Sequence, residues 1–531
     1  MDKTAEKSCR KDEVKGNDGL SLDTLFGVFS TWHIPLITFA VIRGLPSAMM
    51  LMAVVFAAPA EQNFRCNTLP GWMANEDQCT VRKVDSVIDT HDHNISTTDN
   101  SSMTERSDMV ICTAWSFDHS VYKGTTLVDE WDLVCGRRWI ASLSQSLYMF
   151  GLIFSTTIFS HVADWYGRKR ACVISLVCSL LMGVLLACSP SMAVYNILRF
   201  FSAVSSSGYY DAATILLVES VSANQRYVVT LTAGLGWTVG MILLPVVSYL
   251  VPNWRVQQLV IAAPFVLLLG LTFFIDESPR WLLETGRLTQ AHRTLIKVLR
   301  SRQKNRFSVT DDITVDDINN FIDDIKTRNA MIPHKSKGTI VKLFGEQFWR
   351  STVVFCYSKM VVYVLWYHLT VSSVTVGLNP FLSFALTSLC ELPNRVLDTI
   401  VVRTTPRRIA AASAFTITAG AMSVYYIFSN GFWFARFASL VICRLCMDVH
   451  GSVQRVHLAE LYPSGLRSLI AGFVYTCANL AGLLSPFIDY LGQATYQWVP
   501  SVMIVLLCLI GSLAALSVKE TFDRDLHEES S

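Results

Sequence analysis

Charge is what this chain has least of. Only 16% of its 531 residues are Asp, Glu, Lys or Arg, against 51% hydrophobic, where a soluble chain carries about a quarter charged. The mean hydropathy is +0.38. The apolar excess is gathered into runs of about 20 residues, long enough to cross a bilayer as a helix. A soluble enzyme is excluded. No Gly-x-x-x-x-Gly-Lys loop is present, which argues against an ATP-driven pump. No nucleophile–base pair or metal cluster stands out in the polar stretches, so no enzyme chemistry and no cofactor are expected. The N-terminal MDKTAEKSCRKDEVKGNDG has no apolar core. No cleavable signal is therefore expected, and the span beginning at Trp32 serves for targeting. A net charge of +2 points to no nucleic-acid partner.

What is present is a series of twelve candidate spans, at about 33–58, 140–162, 171–189, 192–217, 227–250, 256–275, 350–371, 378–401, 409–428, 432–457, 468–492 and 497–517. The expected fold is an all-α polytopic membrane protein of two six-helix bundles. It divides into a cytoplasmic tail (1–31), an N-terminal bundle (32–275), a cytoplasmic helical linker (276–349), a C-terminal bundle (350–517) and a cytoplasmic tail (518–531). The connection 59–139 holds thirteen acidic and seven basic residues, four cysteines (Cys66, Cys79, Cys112, Cys135) and two Asn-x-Ser sequons at Asn94 and Asn100. Together these predict an extracellular loop with glycans and two disulfides in one of three connectivities. The linker is rich in Lys and Arg and has the apolar spacing of amphipathic helices, which predicts the opposite face. Both termini then fall in the cytoplasm.

The turn Ser160–Arg170, SHVADWYGRKR, is short and ends in three cations, so it too lies on the cytoplasmic face. Asp164, Gly167 and Arg168 predict a charge clasp between two helices. The same signature returns in the second half. Glu460 and Arg467 stand 241 residues after Glu219 and Arg226, Arg407 stands 239 after Arg168, and Glu520 stands 243 after Glu277. Duplicated six-span halves are what a rocking transporter requires. The expectation is two cytoplasmic charge networks that lock an outward-open state, built from Asp164, Gly167, Arg168, Glu219, Arg226, Glu277 and Arg280 in one half and Arg407, Glu460 and Arg467 in the other. Arg403 and Pro406 replace the acid and glycine of the first clasp, so the first lock is expected to be the stronger. The alternative is static surface ion pairs worth under about 1 kcal/mol each.

These motifs, with Trp131–Cys135 (WDLVC), Ser144–Gly151 (SQSLYMFG), Trp254-Arg255, Glu277–Leu283 (ESPRWLL) and Glu460–Arg467 (ELYPSGLR), resemble the organic ion transporters of solute carrier family 22 in the major facilitator superfamily. The resemblance covers nearly the whole chain. It implies uptake or exchange of organic cations, anions or carnitine-like zwitterions at the plasma membrane, by a fold that works as a monomer.

Charged residues inside spans are costly and mark function by default. Those noted are Arg43, Asp211, Lys359, Glu391, Arg395, Asp398, Asp448 and Arg455. Asp211 beside Tyr210 suits a cation by charge and cation–π contact, while Lys359, Arg395 and Arg455 suit a carboxylate. Against the family pattern, Asn479 stands where cation carriers have a carboxylate and anion carriers an Arg. Trp237, Tyr363 and Trp366 match its cavity aromatics. With both signs present, the reading leans to a zwitterion or amphipathic organic ion in a site of Tyr210, Asp211, Trp237, Tyr363, Trp366, Glu391, Arg395, Arg455 and Asn479. Inter-helix ion pairing is the competing explanation for each charge. His450 and His457 raise the possibility of proton coupling. A second function stays open: a ligand sensor on the same fold that binds without transporting.

Overall fold

The computed structural model describes residues 29–522 together with Leu22 and Phe26, apart from 60–61, 69–71, 76–77, 84–108, 223–224, 226, 305–313, 330–343, 346–347, 378, 429–431, 463 and 497. Asn94, Asn100 and Arg226 lie outside the described residues, as do the side chains of Arg395 and Arg467.

Helices occupy every one of the twelve expected positions. In the first half they are α1 (His33–Ala57), α2 (Trp139–Tyr166), α3 (Arg168–Ala187), α4 (Met192–Ser220), α5 (Tyr227–Leu250) and α6 (Trp254–Thr272). The linker contributes α7 (Leu288–Lys304) and α8 (Val315–Asn329). The second half holds α9 (Trp349–Ser372), α10 (Pro380–Leu389), α11 (Glu391–Thr404), α12 (Arg407–Ile427), α13 (Trp433–Leu461), α14 (Ser464–Ala494) and α15 (Val499–Ser517). Among the described residues, eight helices are long and apolar enough to cross a membrane on their own. The helices that fall short, α4, α10–α11 and α13 among them, carry the buried charges Arg199, Glu391 and Arg444 and the half-buried Asp211. Their polarity is turned inward, where a transporter's cavity lies.

Small residues set how closely these helices approach, as is usual where lipid tails compete equally for apolar surface. Gly236 and Gly240 lie one turn apart on α5 and meet the backbone of α1. A Cβ on Gly236 would overlap the Val41 carbonyl, and one on Gly240 would come within 2.6 Å of the Leu45 carbonyl oxygen. That contact fixes the rotation of α5, and hence of Trp237. Arg199, fully buried in α4, donates to the carbonyls of Met50 (2.6 Å) and Leu51 (3.2 Å) in α1 and lies 4.4 Å over the Tyr148 ring of α2.

The described part of the insertion between α1 and α2 folds as two small antiparallel sheets. Strand β1 (Phe64–Cys66) pairs with β5 (Trp115–Phe117), and β3 (Thr80–Lys83) lies between β2 (Trp72–Ala74) and β4 (Met109–Ile111). Of the three connectivities, the one formed is Cys66–Cys112 and Cys79–Cys135. The WDLVC segment docks on the start of α6. Glu130 accepts from the Trp254 indole (2.7 Å) and pairs with Arg255, while the Trp131 ring packs against Trp254 at 5.3 Å.

The two halves meet at the end that carries the disulfide-bonded insertion. Phe381 stacks on Phe56 (5.2 Å between centroids) and touches Tyr122 and Tyr249 (5.6 Å each). Helix α10 packs along α5 far more extensively than α11 does. The two halves are closed together at the end that carries the insertion.

Candidate functional site

Halfway across the bundle, Tyr210 of α4, Trp237 of α5 and Trp366 of α9 form a chain of rings from one half to the other. Their centroids are 6.4 and 6.1 Å apart. Asp211 follows Tyr210 on α4 and accepts from Ser207 (3.2 Å). Behind it, Arg43 of α1 lies 4.4 Å over the Tyr210 ring and donates to the Tyr210 carbonyl (2.5 Å) and to Thr214 (2.6 Å). On the opposite wall, the Lys359 ammonium of α9 stands 5.0 Å from the Tyr475 ring and 5.9 Å from the Tyr363 ring. Tyr363 and Tyr475 are within electrostatic reach of both Asp211 and Arg455. The expected residues Tyr210, Asp211, Trp237, Tyr363, Trp366 and Arg455 therefore belong to one neighbourhood. Arg455 is exposed on α13 and donates to Ser452 (2.9 Å) rather than pairing with Asp448, which accepts from Asn394 (3.1 Å). Asn479 is buried in α14.

Glu391 has a different role from the one its place in the sequence suggested. It is buried, and one carboxylate oxygen receives both Nε (2.7 Å) and Nη2 of Arg444 from α13. Its other oxygen accepts from Thr238 of α5 (3.1 Å), across the interface between halves. Arg444 also donates to Thr370 (3.0 Å) and lies 5.8 Å from the Trp366 ring. The carboxylate is thus committed to a partner. Arg444 and Arg199 were missed by sequence reasoning, although each interrupts an apolar run, the same signal that picked out Arg43. The two histidines also have structural partners. His450 lies 4.2 Å from the Phe415 ring, and His457 is hydrogen-bonded to the Lys519 carbonyl (2.8 Å).

The two clasps are built alike. Arg168, first residue of α3, donates from Nη2 to Glu219 of α4 (3.1 Å) and from Nη1 to the Ala163 carbonyl (2.9 Å). Asp164, largely exposed, adds an i,i+4 pair at 3.0 Å. Glu277 accepts from the Lys169 backbone N–H (2.9 Å), and the Trp281 indole donates to the Asp164 carbonyl (3.0 Å). In the second half Arg407, first residue of α12, donates to Glu460 (2.9 Å) and to the Val402 carbonyl. Glu520 accepts from the backbone N–H groups of Arg407 (2.9 Å) and Arg408 (3.0 Å), and Thr521 donates to Glu460 (2.6 Å). In each half a carboxylate from beyond the sixth span caps the N-terminus of the third, where helix N–H groups lack partners. Arg280 sits in the short helix Pro279–Glu284, capped by the Ser278 hydroxyl.

Each network closes within its own half and does not bridge the bundles. The reason is local: Arg168 and Arg407 each open a helix and reach back to the adjacent helix of the same half. The second clasp repeats the first through Glu460 and Glu520, the counterparts of Glu219 and Glu277, and lacks only a counterpart of Asp164, whose place Arg403 takes.

Two pseudo-equivalent helical bundles around a polar, aromatic-lined midplane define a membrane transporter of the major facilitator fold, not an enzyme. The comparisons agree. The family model described as "Sugar (and other) transporter" matches residues 99–530, and the chain belongs to that family. It is similar to organic anion transporter 3 of Mus musculus, 28% identical over 77% of this chain and 76% of the relative. It is similar to solute carrier family 22 member 20 of Mus musculus, 29% identical over 71% and 67%. It also resembles the organic cation transporter protein of Drosophila melanogaster, 25% identical over 78% and 75%. The names of these relatives are those of organic anion and organic cation transporters and of solute carrier family 22 members. Among solved structures, the partially occluded inward open xylose transporter XylE from E. coli matches with a TM-score of 0.63 at 14% identity, over 94% of this chain and all of that one.

Proposed function

We propose that this chain carries a small organic ion across the membrane by alternating access, and that zwitterionic or amphipathic ions fit it best. One observation carries the reading. An acid, Asp211, belongs to one half and a cation, Lys359, to the other, with Tyr363 and Tyr475 in contact with the field of both. A ligand with a protonated or quaternary amine at one end and a carboxylate at the other satisfies both walls, its amine flanked by aromatic faces. The names of the relatives span anion and cation carriers, which suits a site holding both signs. The clasps hold each half as a body that rocks about this midplane. The reading includes a plasma-membrane protein acting as a monomer, with both termini cytoplasmic and residues 59–139 outside carrying glycans at Asn94 and Asn100.

The test is uptake of three labelled probes, a quaternary cation, a carboxylate anion and a carnitine-like zwitterion, by wild type, Asp211→Asn and Lys359→Gln at equal surface level. A charged hydrogen bond is worth about 1.5–3 kcal/mol, so zwitterion uptake is expected to fall about 10-fold or more in both variants. Uptake unchanged in both would remove this site. A zwitterion that stabilises the purified protein with no flux would favour the sensor reading instead.

A further inference from the structure

A second cavity, of about 610 Å³, opens on the cytoplasmic side of the first half and shares no residue with the site between the bundles. Its floor is apolar, made by Val173 and Ile174 of α3, and Ile174 is exposed on the outer surface of that helix. Its walls are basic: Lys169 and Arg170 from the start of α3, and Arg287, Arg293 and Lys297 from the linker. The level in the bilayer is marked by exposed aromatics at the neighbouring helix ends, Trp165 and Tyr166 closing α2 and Phe273 and Phe274 after α6, of the kind that sits where headgroups meet acyl chains.

The cavity's two carboxylates do not neutralise it. Asp276 holds the Lys297 ammonium at 2.6 Å and accepts from the Trp32 indole at 3.0 Å. Glu277 is turned to backbone N–H groups of Lys169 and Ser278. Lys169, Arg170, Arg287 and Arg293 have no carboxylate partner among the described residues, and Arg287 lies 4.6 Å over the Trp281 ring. Cations gathered around one open cavity repel one another unless an anion lies between them.

We propose that this cavity binds the headgroup of an anionic phospholipid of the inner leaflet, one bearing more than one phosphate. The basic walls match clustered phosphates. A soluble polyphosphate offers the same charge, but the apolar floor opens toward the acyl region and commits the site to a lipid. A bound headgroup ties the start of α3, whose next-door Arg168 makes the clasp, to linker helix α7.

The test uses the full-length protein in nanodiscs of phosphatidylcholine with a few per cent phosphatidylinositol 4,5-bisphosphate, reading retained lipid by native mass spectrometry. Removing a cation near a membrane surface weakens headgroup binding about fivefold. Arg170→Gln/Arg293→Gln should therefore retain about 25-fold less, and Arg300→Gln, the same charge lost from α7 outside the cavity, should retain the wild-type amount. Both proteins are first checked for monodisperse elution, and the single variant Arg293→Gln, expected about fivefold down, serves if the double variant fails to fold. Equal losses in Arg300→Gln and the cavity variants would overturn the site in favour of a diffuse basic surface. Binding of soluble inositol trisphosphate as tight as that of the lipid would overturn the lipid assignment. Because the readout is lipid and not flux, it stands or falls independently of the transported substrate.

Discussion

Two single residues decide more than their neighbours do. Glu391 and Arg444 form a buried pair near the midplane, with Thr238 and Thr370 taking up further hydrogen-bonding capacity. Breaking such a pair strands a buried charge and costs about 3–5 kcal/mol, whereas replacing both partners with apolar groups of similar size is often close to neutral. Glu391→Leu is accordingly expected to lower thermal stability strongly, and Glu391→Leu/Arg444→Met to recover most of it. A double-mutant cycle that is simply additive would show that the pair is not coupled and return Glu391 to the list of ligand contacts. Gly167 is the second such residue. Its φ of +109° with ψ of 156° is a region essentially reserved for glycine, worth about 1–3 kcal/mol to any other residue. A Cβ there would also lie 2.4 Å from Glu277 Oε2, displacing the carboxylate that caps α3. Gly286 also has positive φ, +71°, but a Cβ there meets nothing within 4 Å. In a thermal-melt comparison Gly167→Ala should therefore be clearly the more damaging; equal shifts would mean that the Glu277 cap contributes nothing.

At the scale of the helix, the clasps hold the third helix of each half to its fourth and to the chain leaving the sixth. The extra acid of the first half, Asp164, is 61% exposed, so its i,i+4 pair with Arg168 is worth about 0.5 kcal/mol or less. Glu219 and Glu460 face arginines that are each 9% exposed. Glu219→Gln and Glu460→Gln are expected to destabilise about equally, by about 1.5–3 kcal/mol, and Asp164→Asn hardly at all. A large Asp164 effect with a small Glu219 one, in thermal unfolding of the purified variants, would reverse this ranking. The second clasp also has a pH signature. Burial raises the Glu520 carboxyl, but four backbone N–H donors, at Arg408, Phe522, Arg407 and Thr521, outweigh it and hold it below its ordinary value. A group depressed on folding stabilises fully above its unfolded value, and that stabilisation is lost as pH falls through the folded one. The gap in melting temperature between wild type and Glu520→Gln should be constant near neutral pH and close only below the usual glutamate range. A gap that widened on acidification would contradict the cap. The helix positions and the repeat were legible because apolar runs and charged signatures are local in sequence. The partners of Glu391 and Arg199 were not, since an Arg on another helix and two α1 carbonyls are chosen by helix rotation, which Gly236 and Gly240 set by contact with α1. The pairing of Arg407 with Glu460 was legible because the repeat offset aligns it with Arg168 and Glu219, whereas the cap of α12 by Glu520 joins residues 113 apart in sequence.

For the whole molecule, the question is what holds the halves closed at the insertion's end, now that the clasps are seen to act within each half. The contacts that cross between halves there converge on Phe381, which meets Phe56 from α1, Tyr122 from the insertion and Tyr249 from α5. An aromatic pair is worth about 0.5–1.5 kcal/mol beyond its buried area, so three pairs sharing one ring supply about 1.5–4.5 kcal/mol. Every 1.4 kcal/mol is tenfold in an equilibrium, so Phe381→Ala should move the balance toward states open at the insertion's end by at least about tenfold. It should do so without loosening either half, because the substitution leaves Arg168–Glu219 and Arg407–Glu460 untouched. Spin labels at that end of α1 and α10, introduced as unnatural amino acids, report the separation directly. The expected result is a longer distance gaining population in Phe381→Ala, with the clasp ends of α3 and α4 staying at wild-type separation. An unchanged distance at the insertion's end would place the seal elsewhere, along α2 and α14, where Ser146 donates to the Leu483 carbonyl at 2.7 Å. A change in the α3–α4 separation would instead mean that the halves do not move as rigid bodies, and that the clasps respond to opening at the insertion's end after all.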